Sequence, residues 1–232
     1  MTPEEERALA VDGDRYHAVN HNGIGTIADP PFDQMKILHS VSPIVPVLEI
    51  GCTTGFRLNK AHHEFGARAV GIEASESAVK EGKELYPNIE LHQGMAPRDL
   101  DIFQGEKFDL IILGHFLYLL PRPELFRIAA DVDALLNDGG HVMVMDFIFF
   151  RDTVSRYSHQ DALRVFKGDP SAPWTWSPQY FLVHRSIYEL ATDQGSQNDA
   201  REWQTLDVVR KMKLADVYDS VDSMPSRHVE LR

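Results

Sequence analysis

The segment VLEIGCTTGF, residues 47–56, decides the fold of this chain. It starts as a short apolar run, passes through the acid Glu49, and ends in a loop with glycine at Gly51 and Gly55. A buried strand followed by a glycine loop and a helix is typical of sites that hold a nucleotide at the carboxyl end of a parallel strand. The segment therefore predicts a nucleotide-binding loop, and its details must indicate which nucleotide.

Similar apolar runs recur along the chain, with helical patterns between them. The runs lie at 45–50, 68–73, 89–92, 108–113 and 141–149, and the helical patterns at 55–65, 75–86, 97–103 and 121–136. Asp138-Gly139-Gly140 is expected to end the last of these helices. Continuous apolar strands that alternate with helices predict a doubly wound α/β fold, in which a mostly parallel sheet is covered on both faces.

The flanking segments complete a predicted seven-stranded sheet. Residues 3–20 predict an amphipathic helix, and Asp29-Pro30-Pro31 predicts the start of a second one. Two strand-like runs near the C-terminus, joined by a polar stretch, predict an antiparallel hairpin at the sheet edge. We expect an N-terminal helical lid, a ligand-binding core, an insertion that covers the active site, and a C-terminal part with the edge strands and a tail, at residues 1–43, 44–150, 151–178 and 179–232.

Composition narrows the class of partner. The 232 residues carry a net charge of −12, which argues against nucleic acid because phosphate binding relies on clustered Lys and Arg. No apolar stretch is long enough to span a membrane. The acidic N-terminus lacks the pattern of a secretory signal, and the single cysteine, Cys52, suits a reducing compartment. We therefore expect a cytoplasmic protein with a small-molecule partner.

The acids at the ends of the first two strands indicate the type of nucleotide. Gly51 and Gly55 do not give the G-x-G-x-x-G spacing of NAD-binding loops. Glu49 would repel a pyrophosphate but suits the cationic, phosphate-free S-adenosylmethionine. Glu73, at the end of the second strand, can accept hydrogen bonds from both ribose hydroxyls. Two alternatives stay open: Glu49 pairs within the fold, or Glu73 caps the helix that starts near Ser75.

Thr53 occupies the middle of the loop, where glycine is common. A β-branched residue with positive φ is a steric outlier. We therefore expect a negative φ at Thr53, with the close approach to the ligand made at Gly51.

Residues 44–149 resemble the class I S-adenosylmethionine-dependent methyltransferases. The resemblance is carried by VLEIGCTTG, VGIEAS, FDLIILGHFLYLL and LLNDGGHVMVMDF. Within that superfamily the chain is similar to a subgroup of small-molecule enzymes, which implies the Rossmann-like methyltransferase fold. It also implies methyl transfer to an O, N or C atom of a small metabolite in a biosynthetic pathway.

The resemblance implies a role for each matching position. Glu49 would anchor the methionyl amine through water, Glu73 would hold the ribose, and Tyr16 would close over the cofactor. The other implied cofactor contacts are Gly51, Cys52, Gly55, Ala74, Met95, Ala96 and Gly114. The sequence departs from the family at Thr53, and also after the third strand, where Asp99 is the nearest acid that could hold the adenine amino group.

Methyl transfer needs an aligned, desolvated acceptor and a base only where the acceptor must lose a proton. His115 follows the fourth strand and is the candidate general base, with a packed histidine as the alternative. Tyr118, Tyr157 and His159 are candidate substrate-binding residues. His17 and His21 have the spacing of a zinc pair, but no third ligand is evident, so no metal is predicted.

Two other functions remain open from the sequence. One is a protein that binds S-adenosylmethionine or S-adenosylhomocysteine without catalysis. The other is an NAD(P)-dependent oxidoreductase, which Glu49 and the glycine spacing disfavour. The edge strands at 179–210 could also join two copies as a homodimer.

Overall fold

The computed structural model describes residues 1–20, 29–157, 159–189 and 203–218. The helices in these ranges are α1 (Pro3–Asn20), α2 (Pro30–Val41), α3 (Phe56–Phe65), α4 (Glu76–Leu85), α5 (Arg122–Leu135), α6 (Ala172–Thr175) and α7 (Leu214–Val217). The strands are β1 (Pro46–Ile50), β2 (Arg68–Glu73), β3 (Glu90–Gln93), β4 (Phe108–Gly114), β5 (Leu136–Phe147), β6 (Thr153–Arg156), β7 (Arg164–Lys167), β8 (Tyr180–Glu189) and β9 (Trp203–Lys211). Short 3₁₀ turns cover Leu100–Phe103 and Leu117–Leu119.

Seven strands form one sheet in the order β3-β2-β1-β4-β5-β9-β8. The neighbours among β1 to β5 are parallel, while β9 lies antiparallel between β5 and β8. The strand order reverses beside β1, which lies between β2 and β4. Ligands bind at the carboxyl ends of the strands at such a point. The predicted mostly parallel sheet with an antiparallel edge hairpin is confirmed.

Apolar side chains cover both faces of the sheet. Leu48 of β1 packs in the same cluster as Ile128 of α5, on one face. Its neighbour Val47 points to the opposite face, where it joins Met35 of α2 and Leu58 of α3. Because successive strand residues point to opposite faces, burial on both sides requires continuous apolar runs, and this is the pattern that the sequence shows.

The second helix begins as predicted. Asp29 caps α2, and its Oδ1 accepts a hydrogen bond from the backbone N–H of Phe32 at 3.2 Å. Pro30 and Pro31 occupy the first turn, where their missing N–H groups cost nothing. The cap holds the Asp29 carboxylate next to the end of β1, where it becomes part of the site described below.

The junction between α5 and β5 corrects a prediction. Asp138-Gly139-Gly140 does not end the helix, because α5 ends at Leu135 and β5 begins at Leu136. Leu136 pairs with Phe108 of β4, and the register shifts before the next pair. Gly139 has a φ of 83° inside this irregular stretch. The glycines thus serve a bulge in the sheet rather than a helix cap.

The connection after β5 contains regular structure that the sequence does not reveal. β6 and β7 pair antiparallel as a separate two-stranded sheet, and α6 follows them. All four residues of β6 are exposed, so no apolar alternation marks this strand in the sequence. The polar link at 191–200 and the tail from residue 219 onward lie outside the described residues. In the part of the chain that is described, no helix is both long enough and apolar enough to cross a membrane.

Candidate functional site

A cavity of about 650 Å³ lies at the carboxyl ends of β1, β2 and β4, with α1 and the start of α2 on its outer side. Most of the residues predicted for the site line it: Tyr16, Glu49, Gly51, Glu73, Ala74, Met95, Ala96, Gly114, His115 and Tyr118. The other predicted residues are not in its wall: Cys52, Gly55, Tyr157 and His159. The volume is within the usual range for a site that encloses a small molecule.

Gly51 lets the first loop lie against the end of β4. Its φ is 77°, and a Cβ built on it would be 2.9 Å from the carbonyl oxygen of Gly114. The N–H of Gly51 donates to the carbonyl of Ile72 at 2.9 Å, which ties the loop to β2. Only glycine combines this φ with so close a contact.

Thr53 corrects a prediction, because its φ is 51° and not negative. Its backbone N–H donates to Oε2 of Glu73 at 2.9 Å. The left-handed conformation aims this N–H at the carboxylate, and the bond offsets part of the strain of a β-branched residue at positive φ. The Thr53 hydroxyl is buried without a hydrogen-bond partner among the described residues.

Glu73 joins the loop to the start of α4. Its Oε1 accepts from the N–H of Ser75 at 2.9 Å, while Oε2 accepts from Thr53. Ser75 itself caps α4 through its hydroxyl, and Glu73 binds the backbone N–H of this capping residue. Burial raises the pKa of Glu73, although the backbone hydrogen bonds act in the opposite direction. Each oxygen keeps acceptor capacity toward the cavity, which suits a diol such as a ribose.

Cys52 and Gly55 support the loop from behind. The Cys52 side chain is buried, and its Sγ would be 2.5 Å from a Cβ on Gly71 of β2. Gly55 has a φ of 79° and caps α3, and a Cβ there would be 2.6 Å from Ile89. Both residues therefore fix the loop against its neighbours instead of facing the cavity.

The loop after β3 presents an apolar wall. Met95 and Ala96 line the cavity and are almost fully buried. Asp99 turns back on this loop, where its Oδ2 accepts from the N–H of Met95 at 2.8 Å, and it also pairs with Arg98. Asp99 therefore shapes the loop and is not in the cavity wall.

Glu49 is held by Arg57, a residue that was not among the predicted site residues. Nη1 of Arg57 donates to Oε1 of Glu49, and its Nε donates to Oδ1 of Asp29 at 3.1 Å. Burial raises the pKa of Glu49 to about 7, although Arg57 acts in the opposite direction. Burial would lower the pKa of Arg57, but the two carboxylates more than offset this and raise it. The interpretation in which Glu49 pairs within the fold is confirmed for one oxygen.

The other oxygen of Glu49, Oε2, is buried and has no hydrogen-bond partner among the described residues. Both Glu49 and Arg57 line the cavity. A buried carboxylate oxygen without a donor is costly, and a ligand ammonium would supply the missing donor.

His115 lies at the end of β4 with a φ of 52°. Its N–H donates to the carbonyl of Met145 at 2.8 Å, and its Nε2 lies 3.0 Å from Oε1 of Gln204. Burial lowers the pKa of His115 to about 4, although the bond to Gln204 acts in the opposite direction. With Nε2–H assigned as donor to Gln204, the ring is neutral at physiological pH and Nδ1 is an acceptor.

Tyr118 of the cavity wall contacts Tyr157, which is not itself in that wall. Their ring centroids are 6.4 Å apart in an edge-to-face arrangement, and Tyr118 packs on Phe147 in the same way at 5.0 Å. The hydroxyl of Tyr157 donates to Oδ2 of Asp12 in α1 at 2.9 Å. Tyr157 thus links the insertion after β5 to the N-terminal helix. His159 is exposed and stacks edge-to-face on Tyr157.

The helix α1 lies directly on Glu73. A Cβ on Gly13 would be 3.6 Å from Oε1 of Glu73, and Oδ1 of Asp14 accepts from the Ser75 hydroxyl at 2.6 Å. Nε2 of His17 lies 2.8 Å from Oε2 of Glu81 in α4. His21 lies outside the described residues, and no group of three potential metal ligands occurs in the ranges that the structure covers.

Asp12, Arg57 and Tyr188 line the cavity without having been predicted. Arg57 is the second residue of the helix after the glycine loop, and a basic residue at this position close to Glu49 is a signal that could have been used. Asp12 and Tyr188 come from segments far from the loop in sequence, so local patterns do not reveal them.

Residues 47–140 match the model of a family described as a methyltransferase domain. Over 109 residues, the chain is 29% identical to an uncharacterized methyltransferase of Alkaliphilus oremlandii (strain OhILAs). That alignment covers 47% of this chain, and the chain spans about half the length of that relative, 49%.

Several solved structures share the fold over most of the chain. A 1,6-didemethyltoxoflavin-N1-methyltransferase from Burkholderia thailandensis, with S-adenosylhomocysteine bound, has a TM-score of 0.64 at 15% identity and covers 92% of both chains. The N-methyltransferase NodS from Bradyrhizobium japonicum WM9, in complex with S-adenosylhomocysteine, has a TM-score of 0.60 at 18% identity and covers 90% of this chain and 97% of its own. At these levels of sequence identity, the structural similarity establishes the fold of this chain and nothing further.

Proposed function

We propose that the chain is a class I S-adenosylmethionine-dependent methyltransferase that transfers a methyl group to a small molecule. The proposal is supported by the match of residues 47–140 to a methyltransferase-domain model and by a sheet with the fold of the similar solved structures. In this proposal the cofactor is S-adenosylmethionine, and the acceptor atom is O, N or C. Residues 44–150 are the cofactor-binding core, 1–43 the lid, 151–178 the cover of the active site, and 179–232 the edge strands and tail. A cytoplasmic location, a biosynthetic role and a homodimer through β8 stay predictions.

One observation carries the proposal: Glu49 and Glu73 lie at the carboxyl ends of the adjacent strands β1 and β2, and both line the same cavity. Glu73 offers acceptors for the ribose hydroxyls. Glu49 offers Oε2 to an ammonium group, which suits the methionyl end. Ala74, Met95 and Ala96 supply an apolar wall for adenine. A dinucleotide would place its pyrophosphate near Glu49, so an NAD(P) enzyme is disfavoured.

Glu49 and Arg57 together suit an amino acid zwitterion. Arg57 uses Nε and Nη1 on Asp29 and Glu49, and it is one of the residues that line the cavity. A guanidinium is a fixed cation that binds carboxylates, while Glu49 suits the amine. We therefore assign this pair to the methionyl group of the cofactor.

When bound, S-adenosylmethionine supplies a methyl group on sulfonium: the acceptor lone pair forms the new bond to carbon while the carbon–sulfur bond breaks and leaves its electrons on sulfur. The residues of the chain align the acceptor and exclude water. The helix α1 covers the cavity from outside, and His115 presents a neutral ring. With a pKa of about 4, His115 accepts a hydrogen bond from the acceptor more readily than it takes a full proton.

Turnover tests this proposal. Purified protein is incubated with isotopically methyl-labelled S-adenosylmethionine and pooled small-molecule acceptors, and both S-adenosylhomocysteine and labelled products are followed by mass spectrometry. Formation of S-adenosylhomocysteine and labelled product in equal amounts supports methyl transfer. A Glu73→Gln variant should lose this activity, while a variant at an exposed position, Glu76→Gln, should keep it. Binding of S-adenosylhomocysteine without transfer to any acceptor would favour the non-catalytic alternative.

A further inference from the structure

Asp12 is a buried carboxylate in the cavity wall whose charge is only partly compensated. The residue is 6% exposed, and its Oδ2 accepts from the neutral hydroxyl of Tyr157. Its Oδ1 is buried without a hydrogen-bond partner among the described residues. Among the described residues, Asp12 forms an ion pair with Arg15, whose Nη1 lies 3.8 Å from Oδ1 and whose side chain is 45% exposed. That distance is too long for a hydrogen bond, and solvent weakens the pair.

The other carboxylates of the cavity wall have stronger partners. Glu49 and Asp29 share Arg57, and Lys60 also pairs with Asp29 at 3.4 Å. Glu73 is held by two backbone N–H groups. Among the described lining residues, Arg57 is the one Lys or Arg side chain, and it is engaged by Glu49 and Asp29. Asp12 therefore gives its part of the cavity wall a negative charge that no Lys or Arg of the described wall neutralises.

Aromatic rings surround the same space. The cavity wall includes Tyr16, Phe56, Phe116, Tyr118 and Tyr188. Tyr118 contacts the ring of Tyr157, which in turn binds Asp12. Aromatic faces attract cations, and the attraction is stronger where the cation is desolvated. A carboxylate oxygen without a donor, next to such rings, suits a positively charged group.

From this arrangement we propose that the methyl acceptor is a small amine that is protonated at neutral pH, and that Asp12 recognises it. The inference rests on the proposed function, since it names the acceptor class of that site. The ammonium donates to Oδ1 of Asp12 and lies against the tyrosine rings. It must release one proton, to Asp12 or to water, before its nitrogen has the lone pair that attacks the methyl carbon.

The test compares two probes of nearly equal shape, benzylamine and benzyl alcohol. Each is titrated by calorimetry at neutral pH into protein saturated with S-adenosylhomocysteine, so binding is measured without turnover. The wild type is expected to bind benzylamine at least about tenfold more tightly, because a charge-assisted hydrogen bond is gained. Asp12→Asn should abolish this preference. Glu4→Gln, which removes an equal charge from an exposed position of α1, should keep it.

A second variant guards against a folding defect in Asp12→Asn. Tyr157→Phe keeps the carboxylate and removes its only hydrogen-bond donor among the described residues, so the preference for benzylamine should persist or grow. Equal affinity for the two probes in the wild type, or an unchanged preference in Asp12→Asn, would overturn the inference while leaving methyl transfer intact. Failure of S-adenosylhomocysteine to bind at all would overturn the proposed function and the inference with it.

Discussion

The backbone N–H of Thr53 donates to Oε2 of Glu73 at 2.9 Å, so the acid at the end of β2 holds the loop that follows β1. The same carboxylate accepts from Ser75 through its other oxygen. The group that we assign to the ribose is therefore also the anchor of the cofactor loop. Binding and loop order should change together when it is altered.

Glu73→Gln should lower the affinity for S-adenosylhomocysteine about ten- to a hundredfold. The amide has one acceptor oxygen, so it cannot serve the two backbone N–H groups and a ribose together. Isothermal titration of the wild type, Glu73→Gln and the exposed control Glu76→Gln measures this effect. An affinity in Glu73→Gln equal to that of the wild type would remove Glu73 from the ribose site.

Thr53→Gly should raise the free energy of unfolding by about 1 kcal/mol. The substitution relieves the backbone strain of a β-branched residue at φ 51° and removes a buried hydroxyl that has no partner among the described residues. These two gains outweigh the extra conformational freedom of glycine in the unfolded chain. Urea unfolding measures the change. The neighbouring Thr54 is buried and is not among the residues with positive φ, so Thr54→Gly should lower stability. Destabilisation by Thr53→Gly would show that the strain argument is wrong.

Affinity for S-adenosylhomocysteine should fall as the pH drops below 7. Burial raises the pKa of Glu49 to about 7, so the carboxylate that attracts the methionyl ammonium becomes protonated there. Uptake of one proton weakens binding by at most about tenfold per pH unit. Dissociation constants measured from pH 5.5 to 8.5 test this. Glu49→Gln should bind more weakly at high pH and lose this slope; a variant that keeps the slope would point to another group.

His115 should make the protein less stable in mild acid. Burial lowers its pKa to about 4, while an unfolded histidine titrates near 6.5. Between these values the unfolded chain binds one more proton, so the stability that His115 contributes is present above pH 6.5 and is lost as the pH falls toward 4, by at most about 3 kcal/mol.

The variant His115→Asn isolates this effect, because asparagine tolerates the positive φ but does not titrate here. The gap in unfolding free energy between wild type and variant should shift in favour of the variant as the pH falls from 6.5 to 4. Parallel curves for the two proteins would contradict the lowered pKa.

Glu49 and Glu73 could be predicted as neighbours from the sequence because the carboxyl ends of adjacent parallel strands meet at one edge. The apolar runs likewise predicted the sheet, since strands buried on both faces have little room for polar residues. The conformation of Thr53 was missed because its N–H is drawn to Glu73, twenty residues away, a contact that local propensity does not contain.

The surroundings of Asp12 in the cavity wall were harder to predict. Asp12 and Tyr157 are 145 positions apart and meet only because α1 and the insertion after β5 fold over the same strand ends. The exposed β6 gave no alternation to recognise. Arg57 was missed for a different reason, since its pairing with Glu49 depends on how the first turn of α3 lies over β1.

Calorimetric titration of the wild-type protein with S-adenosylhomocysteine and, separately, with NADH tests the central claim most directly. The two carboxylates at the ends of β1 and β2 and the glycine spacing predict binding of S-adenosylhomocysteine and no binding of NADH. Binding of NADH, with no heat from S-adenosylhomocysteine or S-adenosylmethionine, would contradict the assignment of this cavity to S-adenosylmethionine.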